Sequence, residues 1–247
     1  MTFEQRSAGL PAEPGPTPAT SDHPASPTPV QLRLQILSTE HWSLLASRSL
    51  AWNESFTRAG MFLSTLSGAI VALSLIGGVD GFRDAFRNVA LVVLPVVLFV
   101  GIGTWLRMAA SNYHDAITVF GMNRIRAAYL EIAPELAPYF VMGTHDDPAG
   151  IGITMAVPPG TAPWVHLVAG TPTLVIVLNG VIAGAIVALA GVQFLSVPGA
   201  VAPASAVGGA IIVIAIQVMF AGRNIRRGQQ AIRPMFPTPT IGDRPGA

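Results

Sequence analysis

Pro172–Leu195 reads PTLVIVLNGVIAGAIVALAGVQFL, 24 residues without an Asp, Glu, Lys, Arg or His. About 20 apolar residues in a helix match the ~30 Å hydrocarbon core of a bilayer, so this run predicts a membrane span. Three further stretches share the property: Ala59–Gly77, Val89–Leu106 and Pro203–Gly222. Together they predict an all-α polytopic membrane protein with four transmembrane helices in two hairpins. Ionisable groups inside a membrane commonly mark ion pathways or proton relays, and these spans carry none.

The rest of the composition agrees. The chain has 247 residues, is 51% hydrophobic and 11% charged, and has a mean hydropathy of +0.55. Soluble domains run near ~25% charged. All 14 basic residues are Arg and the net charge is +1, which gives no reason to expect a nucleic-acid partner. The absence of Cys removes disulfides, thiolate metal sites and Cys nucleophiles.

Working outward from the spans gives six regions. Residues 1–29 hold seven Pro and no apolar run, which predicts a disordered tail and not a secretory signal. Residues 30–58 are the cytoplasmic helix region, with the helix itself read over 38–58, Ser38 or Thr39 as its cap and Leu45, Trp52 and Phe56 on one face. Residues 59–106 form the first hairpin, turning at Gly77–Gly81. Asp80 and Arg83, then Asp84 and Arg87, are spaced to pair, and Pro95 predicts a kink. In 107–171 a helix over Ala109–Ile132 stops at Pro134, and a Pro- and Gly-rich irregular stretch follows. Residues 172–222 are the second hairpin. Residues 223–247 are basic and then, from Pro234, read as a second disordered tail. The helices at 30–58 and 109–132 are expected to be cytoplasmic and amphipathic. The first is expected to extend below the membrane and pack on the second as a stem.

Orientation follows from Arg. Arg48, Arg58, Arg107, Arg124, Arg126, Arg223, Arg226, Arg227 and Arg233 flank the spans on one side, Arg83 and Arg87 on the other. Nine against two places the first set in the cytoplasm, and with it both termini and the 107–171 connection. Arg107, Arg223, Arg226 and Arg227 serve as topology anchors.

Candidate functional residues are few. Gly60, Ser64, Ser67 and Ser74 make a stripe of small side chains on the first span. Gly180, Gly184 and Ala188, continued by Gly191, make one on the third. Small residues let helix backbones approach closely, which points to packing in a four-helix bundle or to an oligomer interface. A Ser stripe is also suited to lining a pore, because hydroxyls replace part of an ion's hydration shell. Asn179 and Gln217 are the polar exceptions in the third and fourth spans. They are expected to hydrogen-bond to each other, with substrate contact as the alternative. His114-Asp115, His145-Asp146-Asp147 and His166 lie on the 107–171 connection. Such groups ligate divalent metals, but the spacing fits no metal motif, and an Asp pair before Pro148 also suits a solvated turn. Phosphate-binding, nucleophile-elbow and zinc-protease motifs are missing.

Two stretches carry a resemblance: Ser49–Gly68, SLAWNESFTRAGMFLSTLSG, and Phe120–Asp147, FGMNRIRAAYLEIAPELAPYFVMGTHDD. Over residues 49–147 the chain resembles a group of small integral membrane proteins of actinobacteria, to which no activity is attached. The resemblance implies a bacterial plasma membrane and brings no ligand or catalytic residue. The expectation is a non-enzymatic membrane protein without cofactor. It would sit in the lipid bilayer as a homo-oligomer and present its cytoplasmic helices to a protein partner. The alternatives are an oligomeric channel lined by the Ser stripe and a small-solute transporter.

Overall fold

The computed structural model describes residues 28–157, 170–231 and 233–239. Helix α1 runs over Pro29–Asp80 and α2 over Asp84–Ile132. A 3-10 turn follows at Pro134–Tyr139, then α3 at Pro148–Thr154, α4 at Thr171–Phe194 and α5 at Ala202–Ala231. No strand occurs among the described residues. Four of the helices (α1, α2, α4 and α5) are long and apolar enough to cross a membrane. The protein is therefore all-α and multi-pass, and lies in a lipid bilayer.

Helix α1 begins earlier than the sequence suggests. Thr28 accepts a hydrogen bond from the Gln31 N–H while the Gln31 side chain returns to the Thr28 N–H, a reciprocal cap. Pro29 then sits where its missing N–H costs nothing. Ser38 and Thr39 are therefore interior residues and not caps: Ser38 bonds Tyr129 and Thr39 donates to the Gln35 carbonyl. The residues between are good helix formers, so the helix propagates back to the first available cap. It ends at Gly81, whose left-handed φ of 65° suits glycine. In the turn that follows, the Phe82 ring folds back over Gly77, where any Cβ would overlap it, and meets the Phe86 ring edge-on at 5.0 Å. Asp84 pairs with Arg87, whereas Asp80 accepts from the Phe86 N–H and forms no ion pair with Arg83.

Span and stem are continuous in both long helices. The structure has no boundary at 58 in α1 or at 107–109 in α2, and α2 runs unbroken through Pro95. At 1.5 Å per residue, roughly 45 Å of α1 and roughly 40 Å of α2 extend past the predicted spans. These extensions pair antiparallel. Ser38 meets Tyr129, Leu44 packs on Gly121, Ser47 meets His114 at 3.0 Å, and Glu54 meets Arg107 at 2.8 Å.

The spans form a row and not a closed four-helix bundle. Helix α1 packs on α2, α2 on α4 and α4 on α5, with a slight α2–α5 contact. The two small-residue stripes therefore part company. A Cβ on Gly180 or Gly184 would overlap Ile214 or the Ala206 carbonyl of α5, and Gly191 is buried. That stripe seals the second hairpin. Gly60, Ser64, Ser67 and Ser74 are all exposed. Helix α1 instead packs through Ala59, Phe62, Ala69 and Leu73, and its Ser74 hydroxyl donates to the Ile70 carbonyl. Close helix packing within the chain is not the role of the first stripe.

Candidate functional site: a polar clasp at the end of the stem

The tip of the stem concentrates the polar chemistry. Asn123 projects from the α2 face that also buries Val119, Met122 and Arg126, and it is fully buried. Its Nδ2 donates to the His145 carbonyl at 2.7 Å. Its Oδ1 accepts from Arg126 Nη1 and from Thr154 Oγ1, each at 2.8 Å. One amide thus joins α2, the 143–147 loop and α3. The fit needs glycine at 143 and 150, where a Cβ would overlap the Gly150 and His145 carbonyls respectively. Asp147 caps α3 by accepting from the Gly150 N–H at 2.8 Å, ahead of Pro148.

Onto this platform the chain folds residues 233–239. Prolines at 234, 237 and 239 have no N–H to give. The remaining residues of 234–239 are Met235, Phe236 and Thr238, and all three donate their backbone N–H to the Asp146–Asp147 pair. Met235 N–H lies 2.9 Å from Asp146 Oδ2, Phe236 N–H 2.7 Å from Asp146 Oδ1, and Thr238 N–H 2.9 Å from Asp147 Oδ2. The Thr238 hydroxyl adds a 2.9 Å bond to Asp147 Oδ1, and the Asp146 N–H returns one to the Phe236 carbonyl. Arg124 completes the clasp. Its Nε meets Asp146 Oδ2 at 2.7 Å, its Nη2 donates to the Arg233 carbonyl, and its guanidinium lies 4.1 Å over the Phe120 ring. The reading of 234–247 as a disordered tail is corrected for residues 234–239. Carboxylates satisfy the amides that a Pro-rich segment is unable to pair within itself.

Burial by itself would raise the Asp146 carboxyl. The Met235 N–H, Arg124 and the Phe236 N–H outweigh it and hold the group below its ordinary value of 3.8. Asp147 behaves alike: burial opposes, and the N–H groups of Gly150 and Thr238 prevail. Both remain carboxylates at neutral pH.

The other candidate residues fall elsewhere. His114 and Asp115 stand at the stem base, in a network separate from His145, Asp146 and Asp147. His114 Nε2 lies 3.0 Å from Ser47 Oγ, and the buried Asp115 takes Arg48 at 2.6 Å and the Trp52 indole N–H at 3.1 Å. No three His, Asp or Glu among the described residues gather as a metal site. His166 lies outside the described residues. Arg107, expected as a topology anchor, is a stem partner of Glu54. With Arg58 it holds the Glu54 carboxyl down to about 2. Arg223, Arg226 and Arg227 are exposed along the last turns of α5.

Inside the spans, Asn179 Nδ2 donates to Gln217 Oε1 at 3.3 Å. Asn179 Oδ1 lies where a Cβ on Gly101 would overlap it, and neither it nor Gln217 Nε2 has a hydrogen-bond partner among the described residues.

Asn123 and residues 233–239, which form a strap across the clasp, were missed from sequence. The available signal was Asn123 and Arg126 lying among the apolar residues Val119, Phe120, Met122 and Ile125 of one helix stretch. Polar groups buried on such a face require internal partners. No family model, curated protein or solved structure matches the chain.

Proposed function

We propose that this integral membrane protein is non-enzymatic and acts as a membrane-anchored scaffold, holding a rigid helical stem at a fixed height for a cytoplasmic protein partner. The observation that carries the reading is the passage of α1 and α2 from span to stem without a break, with the Arg48–Asp115 and Glu54–Arg107 ion pairs holding the stem near the membrane. A stem tied in this way transmits the position of the spans to its tip. Its outer surface offers a partner exposed apolar side chains, with Trp42 67% and Leu50 71% accessible. The Arg imbalance supports a cytoplasmic stem and cytoplasmic termini, and the resemblance over residues 49–147 supports a bacterial plasma membrane. Self-association uses the outward stripe of Gly60, Ser64, Ser67 and Ser74, against which a second copy's helix can approach closely.

Two measurements test this. Photocrosslinkers at Trp42 and Leu50 in cells should capture a discrete protein, and the mass in nanodiscs should be that of a closed oligomer. A strict monomer in nanodiscs and several detergents removes self-association. Absence of any crosslinked species removes the partner.

The outward Ser stripe also supports a second reading, an oligomeric pore. Ion flux in liposomes that falls on Ser67→Trp would favour it over the scaffold.

A further inference from the structure

We propose that the Arg124–Asp146–Asp147 clasp is a receptor for a bent, proline-interrupted peptide. The chain fills it with its own residues 233–239, and a partner protein engages it by supplying such a segment in trans. The inference rests on the scaffold reading and names the place where the partner docks.

The occupant in the structure defines the ligand. Every bond from the clasp to the strap but one is made to backbone. The N–H groups of Met235, Phe236 and Thr238 go to carboxylates, the Arg233 carbonyl accepts from Arg124, and the Phe236 carbonyl accepts from the Asp146 N–H. The exception is the Thr238 hydroxyl on Asp147. The site therefore reads where N–H groups occur between prolines and not the side chains at 235 and 236; Met235 is itself 67% exposed. Prolines at 234, 237 and 239 fix φ on either side of the bend at 235–236, so less conformational freedom is lost on docking. Asp146 is 1% exposed with the strap in place, and Asn123 behind it is fully buried and bonds the His145 carbonyl and Thr154, so the receptor wall is built into the stem. The strap follows α5 in the same chain, which makes it a built-in competitor. A tethered segment acts at an effective concentration in the millimolar range, so a partner must displace it.

The test uses the full chain in nanodiscs and a fluorescein-labelled peptide of residues 233–239. The double variant M235P/T238P removes two of the three donors and should release its own strap, seen as fast amide exchange at Phe236. It should then bind the peptide saturably, at least roughly tenfold more tightly than the wild-type chain. Adding Asp147→Ala should weaken that binding. The receptor is overturned if the released variant shows no saturable binding, or if Asp147→Ala leaves binding unchanged. It is equally overturned if Phe236 stays protected when Asp146→Ala and Asp147→Ala are added to the double variant, because the carboxylates then do not hold the strap. Loss of peptide binding with crosslinks from Trp42 and Leu50 intact would sink the receptor and leave the scaffold reading standing.

Discussion

Single side chains decide how closely the helices meet. Gly101 lies where Phe62 of α1 and Asn179 of α4 converge on α2, and a Cβ there would overlap both. Gly101→Ala should cost about 1–3 kcal/mol by overpacking, read as a lower midpoint of thermal unfolding in detergent. Gly103→Ala, two residues on and open to its surroundings, should leave the midpoint unchanged. A comparable change in both would show that Gly101 is not a packing point. Asp115 is the corresponding residue in the stem. Its removal leaves Arg48 and the Trp52 indole without their acceptor, so Asp115→Ala should cost about 1–3 kcal/mol. In a double-mutant cycle with Arg48→Ala the losses should fall short of additive. Strict additivity would mean that the pair contributes nothing. The chemistry of these residues was readable from sequence; their partners were not. The prospective hydrogen bond between Asn179 and Gln217 followed from two amides with nowhere else to turn in lipid. Asp115 gave no such clue, because Arg48 and Trp52 lie more than 60 residues away.

At the scale of elements, the strap is the part that chemistry can open. Both Asp146 and Asp147 have carboxyls held below 3.8 in the folded chain. A depressed acid stabilises fully above its unfolded value and loses that contribution as pH falls through the folded one. Amide exchange at Met235, Phe236 and Thr238 should therefore stay slow from neutral pH down past 5, after allowance for intrinsic rates, and quicken only below about 3.8. Release near pH 6 would assign the latch to some other group. The spans were legible because freedom from charge over about 20 residues is a local property. The strap was not, because it depends on matching donors at 235–238 to acceptors some 90 residues earlier. Proline content signals that a segment will avoid helix, and it does not say whether another part of the chain will receive its amides.

For the whole molecule, the long helices set the dimensions. Labels on the exposed residues Thr39 and Val79, 40 residues apart in α1, should sit about 60 Å apart in a narrow distribution by electron spin resonance. A short or broad distribution would reveal a hinge where α1 leaves the membrane and would undo the rigid stem. The clasp gives this architecture a mechanical consequence. The chain leaves the stem tip at α3, crosses the bilayer twice as α4 and α5, and is fastened back to the tip at residue 233. Hairpin two is thus a handle attached at both ends. If lateral pressure or a change in bilayer thickness tilts α5, the tilt does not dissipate at a loose end but pulls on the latch, and membrane tension becomes a force on one pair of aspartates.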